Sequence, residues 1–306
     1  MFNDVQASQY TAPGRIVVIG DVHGDIHRFL QCLYAMRIFN TNLEWIAEPK
    51  DTIVIQLGDQ IDSLSRGGSS TWEQLCDVEM IHLTDRLDRI ARMGGGRVLS
   101  LLGNHELMNV AGEFSYVSEH SKMKLPLERR KSLFQPGGSV ARILAKRNVI
   151  VKIGAFLFCH GGVLPHHLML VENNFHKIND VVRKFLRGSP LEFQEYSVFH
   201  HVVEDMGGVL WTRMYMELAQ ASPQVLNEAI DDVLQRTGSK AIFSGHNTVP
   251  QVTPLLGGKV FLTDAGLSRA YGSSAMQCVQ IVHPGTDAEQ IQITHIKPTG
   301  AHTHDG

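Results

Sequence analysis

Short apolar runs, polar turns and amphipathic stretches alternate along most of this chain. Five runs read as buried strands: Arg15 to Ile19, Thr52 to Leu57, Arg97 to Leu102, Ala155 to Cys159 and Ala241 to Phe243. After Asp25, the residues Ile26, Phe29, Leu30, Leu33 and Tyr34 fall at spacings of 3, 4, 7 and 8, which is one face of a helix. A second helix is predicted to open at the capping-box sequence Ser70-Thr71-Trp72-Glu73 and to carry Leu75, Val78, Leu83, Leu87 and Ile90. It should stop at Gly94-Gly95-Gly96. Strand, turn and helix in repeated order imply a parallel or mixed sheet with helices on both faces.

Further along, Ala111 to Gln135 is polar and charged without clear period, and reads as an irregular lobe above the sheet. Pro136-Gly137-Gly138 turns the chain into a short helix, Val140 to Lys146. The run from Val149 to Cys159, interrupted by Gly154, predicts a two-stranded hairpin. Residues 164–236 look mainly helical and are expected to form a cap. The later strands Ala241 to Phe243, Lys259 to Thr263, Gln277 to Val282 and Gln290 to His295 suggest a second sheet packed on the first. The fold class is therefore α/β: two mixed β-sheets packed as a sandwich and flanked by helices. The terminal Ala301-His302-Thr303-His304-Asp305-Gly306 reads as a solvated tail.

Composition narrows the partners. A chain of 306 residues with 43% hydrophobic content can bury a large core. A formal charge of −3 and a pI near 6.6 provide no broad basic field, so a nucleic-acid partner is not expected. Cys32, Cys76, Cys159 and Cys278 are far apart with no C-x-x-C, which argues against a disulfide framework or a thiolate zinc site. The first residues lack the pattern of a signal peptide, and no apolar run approaches the length that spans a membrane. A cytoplasmic protein without a membrane partner is the expectation.

The chemistry gathers just after the predicted strands. Asp21-Val22-His23-Gly24-Asp25, Gly58-Asp59-Gln60-Ile61-Asp62, Gly103-Asn104-His105-Glu106, His160-Gly161-Gly162 and Gly245-His246 each follow one. An open sheet collects its ligands beyond the carboxyl ends of its strands. Asp, His and Asn are the donors a pair of divalent ions would take. Asp21 and His23, two apart in an extended segment, point the same way and can share one ion. Asp59 can bridge two ions, while Asn104, His160 and His246 supply neutral donors for the second. Such a pair clamps both ends of an in-line displacement and acidifies a bound water. His105, beside Asn104, is the candidate general acid for a leaving alkoxide, and Asp62 its orienting carboxylate. Glu106 reads as a brace for the loop or for a helix start.

These residues resemble the calcineurin-like metallophosphoesterases, and more closely their phosphoprotein-phosphatase branch, whose signature is GDxHG, GDxVDRG, GNHE, HGG and a late His. Within that branch the chain is most similar to the bacterial-type, Shewanella-like phosphatases. The likeness rests on Gly103 to Asn109, Phe134 to Leu164, Leu210-Trp211-Thr212-Arg213 and Asp264 to Gly272, and covers most of residues 15–275. It implies a metallophosphoesterase domain over 15–298, between an N-terminal extension (1–14) and a tail (299–306). It implies a phosphomonoesterase, a protein phosphatase acting on phosphorylated protein or peptide, that works by direct attack of hydroxide held by two divalent ions. Manganese is the first expectation for those ions, and iron or zinc would suit the same donors. Asp21, His23 and Asp59 would hold one ion, and Asp59, Asn104, His160 and His246 the other, with His105 and Asp62 as the acid pair.

Two departures from the pattern matter. Asp62 is followed by Ser63 where relatives place a phosphate-binding Arg, so Arg66 is a candidate replacement, with Gly67-Gly68 giving the loop freedom to turn inward. The late motif reads Gly245-His246-Asn247-Thr248 rather than Gly-His-Thr, which keeps the donor. Arg213 matches a phosphate-binding Arg of the family, and Arg269 is a further candidate. Since the ligand set does not choose the substrate, a small phosphoester or dinucleotide hydrolase is the alternative within the superfamily. A catalytically weak module that grips phosphorylated partners is the alternative from another class.

Overall fold

The computed structural model describes residues 5–66, 77–272 and 276–297. The capping box expected at Ser70 to Glu73, Gly67-Gly68 and the terminal tail lie outside the described residues. In chain order the elements begin β1 (Gln9–Tyr10), β2 (Arg15–Ile19), α1 (Ile26–Ala35), β3 (Ile53–Gln56), α2 (Val78–Met93), β4 (Arg97–Ser100) and α3 (Asn104–Ala111). Next come α4 (Glu119–Lys124), α5 (Leu127–Phe134), α6 (Ser139–Leu144), β5 (Ile150–Ile153) and β6 (Phe156–Cys159). Helices follow: α7 (Pro165–Met169), α8 (His176–Leu186), α9 (Phe193–Val198) running into a π-helical turn (Phe199–Glu204), α10 (Met214–Ala221) and α11 (Pro223–Thr237). The chain returns to strands in β7 (Ala241–Ser244), β8 (Thr253–Leu255), β9 (Val260–Leu262), β10 (Met276–Val282) and β11 (Gln290–Ile296).

The strands form two sheets, ordered β11-β10-β2-β3-β4 and β1-β5-β6-β7-β9-β8. In the first, β2, β3 and β4 run parallel in register, so Ile19, Gln56 and Ser100 end on one row. In the second, β6, β7 and β9 run parallel, so Cys159, Ser244 and Leu262 end together. Side chains alternate across each strand, and that alternation builds three layers of core. Ile16, Val18, Ile53, Ile55 and Leu99 meet Val151, Ile153, Phe156, Phe158 and Phe243 between the sheets. Val17, Ile19, Val54 and Val98 face outward onto Phe29 and Leu33 of α1 and Leu87 and Ala91 of α2. On the far side Ile150, Leu157 and Ile242 pack with Val181, Val182, Ile230 and Val233 of α8 and α11.

Helix limits follow local chemistry. The Asp25 carboxylate accepts the Arg28 N–H at 3.2 Å and caps α1. Later in the chain, α11 starts on Pro223 and stops on Gly238, whose φ of +59° suits glycine. Gly154, at φ +58°, makes the turn of the β5–β6 hairpin.

Two expectations need revision. The stretch from Ala111 to Gln135 is not irregular but carries α4 and α5, each too short to display a helical period in sequence. The late strands do not form a sheet of their own: β7 and β9 join the hairpin's sheet, whereas β10 and β11 extend the sheet of β2. The motif-bearing ends accordingly come from both sheets and converge at one edge of the sandwich.

Candidate active site

Asp59 Oδ2 is the centre of the cluster. The Nε2 atoms of His160, His23 and His105 lie 3.3, 3.8 and 3.8 Å from it. Among the described residues, two groups have donor atoms mutually within 4.8 Å, namely His23–Asp59–His105 and Asp59–His160–His246, and Asp59 belongs to both. Asn104 Oδ1 sits 2.9 Å from His160 Nε2. Asp21 stands beside this cluster, its carboxylate accepting the His246 N–H at 3.0 and 3.2 Å. Thus Asp21, His23, Asp59, Asn104, His160 and His246 converge, and His105 packs against Asp59 with them.

The backbone is bent to achieve this. His23, Asp59, Asp62 and His246 have φ of +43°, +51°, +68° and +60°, in the left-handed region that side chains avoid. Each such residue costs on the order of 1–3 kcal/mol unless its surroundings enforce it. For Asp59 the enforcement is Glu106. Its buried carboxylate accepts the N–H groups of Gly103 (2.7 Å), Gln60 (2.8 Å), Asp59 (3.0 Å) and Ile61 (3.4 Å). Glycine is needed at Gly103 and Gly245, because a Cβ there would collide with Asp59 and with Asp21 Oδ1.

His105 Nδ1 meets Asp62 Oδ2 at 2.8 Å. Asp62 is itself fixed by Asn109 Nδ2 (2.9 and 3.0 Å) and by Arg130 Nη2 (3.4 Å). The fully buried Arg130 also grips Asp77 through two bonds of 2.8 and 3.0 Å. Burial draws the His105 pKa down, but the carboxylates of Asp59 and Asp62 outweigh it and leave it raised.

Whether the residues suit divalent ions can be judged from their own bonds. His23 Nδ1, His160 Nδ1 and His246 Nε2 lie 3.1, 2.8 and 2.9 Å from the carbonyl oxygens of Ile61, Leu57 and Trp211. A carbonyl only accepts, so those nitrogens carry hydrogen and the opposite nitrogens face the cluster, the pattern of metal-binding imidazoles. Burial first, then Arg66, holds His23 well below the usual range; burial first, then His160, takes His246 to about 3. Both rings are therefore neutral, the ligating form. His160 is the opposite: burial lowers it, yet Asp59 and Asp21 prevail and raise it to about 10. Its Nε2 proton points to Asn104 Oδ1 and neutralises charge where a cation would. Burial, and then the neighbouring Asp264, push Asp21 well above the usual carboxylate range. Crowded buried carboxylates, with neutral imidazoles at His23 and His246 beside them, fit a pair of cations.

A cleft of about 400 Å³ opens over the cluster, with Arg66 and Arg213 in its walls and Met108, Tyr116, Met206, Trp211 and Tyr271 around them. Arg213 Nη1 donates to the His246 carbonyl at 3.2 Å. Arg66 Nη2 is 3.3 Å from His105 Nε2. Arg269, expected among the phosphate binders, is directed elsewhere. Its Nε and Nη2 each reach the Asp25 carboxylate at 2.8 Å, and it does not line the cleft. Ser63, where relatives carry an Arg, is buried with its Oγ 3.0 Å from Ser118 Oγ. Sequence reasoning missed Asp264, which follows β9 as the other site residues follow their strands, and the aromatic rim, which has no periodic signal.

The fold and this site define the class: the model of the calcineurin-like phosphoesterase family matches residues 14–250, and the chain belongs to that family, a family of metal-dependent hydrolases. Among curated proteins it is similar to Shewanella-like protein phosphatase 2 of Arabidopsis thaliana, at 23% identity over 91% of this chain and 78% of the relative. It is also similar to Shewanella-like protein phosphatase 1 of Plasmodium berghei, at 24% identity over 83% of this chain and 67% of the relative. A solved cold-active protein-tyrosine phosphatase from a psychrophilic Shewanella species superposes with a TM-score of 0.74 at 22% identity, covering 96% of this chain and 83% of the other. That likeness establishes the fold. Among the described residues, no helix is long and apolar enough to cross a membrane.

Proposed function

We propose that the protein is a phosphoprotein phosphatase, cleaving phosphate monoesters at a two-ion centre. The observation that carries this reading is Asp59 Oδ2, ringed by three imidazole Nε2 atoms at 3.3–3.8 Å under a cleft walled by two arginines. Asp21, His23 and Asp59 would hold one divalent ion, and Asp59, Asn104, His160 and His246 the second, with manganese the first choice. When bound, such ions acidify water and draw charge from the phosphoryl oxygens.

The remaining steps belong to side chains. Arg66 and Arg213 receive the phosphate, since planar guanidinium donors match its oxygens better than an ammonium would. His105 keeps a proton on Nε2 because Asp59 and Asp62 raise its pKa, and Asp62 fixes the ring through Nδ1. That proton goes to the departing oxygen of the substrate side chain. Arg269 acts at a distance, as a strut on Asp25. The apolar and aromatic rim suits a phosphotyrosyl ring, and the Shewanella structure described as a protein-tyrosine phosphatase agrees with that preference. Cys32, Cys159 and Cys278 are buried free thiols, which supports a reducing, cytoplasmic setting.

The test is a substrate panel with manganese: phosphotyrosyl and phosphoseryl peptides, an aryl phosphate and a dinucleotide. Turnover of peptides, phosphotyrosyl foremost, supports the proposal. Turnover of the dinucleotide with peptides untouched would make it a small-molecule hydrolase, and peptide binding without turnover a binding module.

A further inference from the structure

We propose that Tyr116 and Tyr271 form an aromatic cradle that positions Arg66 for the substrate phosphate, replacing the Arg that relatives carry after the motif aspartate. The inference rests on the reading of Arg66 as a phosphate binder. The Arg66 Cζ lies 4.9 Å from the Tyr116 ring centre and 5.2 Å from that of Tyr271. Its Nη1 donates to the Tyr271 hydroxyl at 3.1 Å, and its backbone N–H donates to the Ala270 carbonyl at 2.7 Å. Among the described residues, no carboxylate forms an ion pair with it.

This mode of holding has a chemical consequence. A carboxylate partner would occupy the in-plane N–H edge of a guanidinium, which is the edge a phosphate needs. Ring faces attract the cation without accepting its N–H groups, so beyond the Nη1 bond to the Tyr271 hydroxyl no neutralising anion among the described residues competes with phosphate for the in-plane donors. The Nη2 end already reaches to 3.3 Å from His105 Nε2, so it is directed to the same place as the acid.

The cradle is itself anchored. The Tyr116 carbonyl accepts the Leu64 N–H at 3.1 Å, fixing the approach to Arg66. On the other side Asp25 accepts the Arg269 N–H at 3.0 Å and its guanidinium at 2.8 Å, while Ser268 Oγ accepts the Ala270 N–H at 3.2 Å. Arg269 is thereby a positioning residue for the segment that carries Tyr271, not a phosphate binder. Tyr116 is the better probe of the cradle: it is 39% exposed and meets His105 only ring edge to ring face at 4.9 Å, whereas the Tyr271 hydroxyl contacts His23 Nε2 at 3.0 Å.

The experiment compares the parent enzyme with Tyr116→Leu, Tyr116→Phe, Arg66→Ala and the Arg66→Ala/Tyr116→Leu double variant. The readouts are inhibition by inorganic phosphate and kcat/KM on aryl and alkyl phosphates. Tyr116→Leu should weaken phosphate inhibition by roughly 3- to 30-fold, the span a cation–π contact supports. Any excess loss on alkyl over aryl phosphates reads the edge contact of the Tyr116 ring with His105, 4.9 Å between ring centres, and is separate from the loss of phosphate inhibition. Tyr116→Phe, which keeps the ring face, should retain parental inhibition. In the Arg66→Ala background Tyr116→Leu should add nothing. If Arg66→Ala weakens phosphate inhibition but Tyr116→Leu does not, or if their effects add fully, the cradle is refuted. If Arg66→Ala itself leaves inhibition at the parental level, the phosphate-binding reading of Arg66 fails first.

Discussion

Replacing Glu106 by Gln probes how the Asp59 turn is enforced. The side chain keeps its size, but one acceptor oxygen becomes an amide that donates. Oε1 receives Gln60 and Ile61, and Oε2 receives Asp59 and Gly103, so either amide orientation turns a donor against two backbone N–H groups. A hydrogen bond to a charged group contributes about 1.5–3 kcal/mol, so losing two removes roughly 3–6 kcal/mol. Part returns as Asp59 relaxes from φ +51°, a strain of about 1–3 kcal/mol, leaving a net loss of about 2–4 kcal/mol. Urea unfolding of metal-free protein should register that loss, and manganese titration should show weakened binding at both ions, since Asp59 reaches both groups. An unfolding free energy within about 0.5 kcal/mol of the parent, the range of ordinary surface changes, would refute the reasoning.

His105→Ala should leave manganese binding intact and cut turnover of alkyl phosphates by roughly 10²–10⁴, with a smaller loss on aryl phosphates whose leaving groups need less protonation. Equal losses on both would make His105 a positioning group. A second expectation concerns pH and the buried His167, whose Nδ1 accepts the Leu164 N–H at 3.1 Å and whose Nε2 donates to the Gly207 carbonyl at 2.9 Å. Burial first, and then His166, lower its pKa from 6.5 to about 3. The unfolded chain therefore takes up the proton first, so stability is complete above pH 6.5 and falls as the pH drops toward 3. At about pH 5 the loss is about 2 kcal/mol, and it should be absent from the pH dependence of urea unfolding in His167→Asn. The same pH dependence in both proteins would contradict this.

What could be read from sequence was the set of strand ends, because each carries a short apolar run followed at once by polar donors. Asp62 and His105 were paired correctly in space, their atoms 2.8 Å apart across 43 residues of sequence. Sheet membership was not legible: Ala241 to Ser244 and Met276 to Val282 look alike as apolar runs, yet they belong to different sheets. Arg130 was invisible as an element of the site, since it sits on an eight-residue helix with little period and meets Asp62 only through folding. Arg269 was a further phosphate candidate in the sequence, where its ion pair with Asp25, 244 residues away, is not visible. The conformations that make the site, left-handed at His23, Asp59, Asp62 and His246, run against the preferences of those residue types. Local propensity gives way here to bonds such as those of Glu106, as expected where function dictates geometry.

The central claim, one carboxylate shared by two ions, is tested most directly by the metal content of Asp59→Asn beside the parent. Elemental analysis of manganese-loaded, desalted protein should give two equivalents for the parent. The variant should fall far below that at both positions and lose nearly all phosphatase activity. Two full equivalents in Asp59→Asn, with activity retained, would contradict the account.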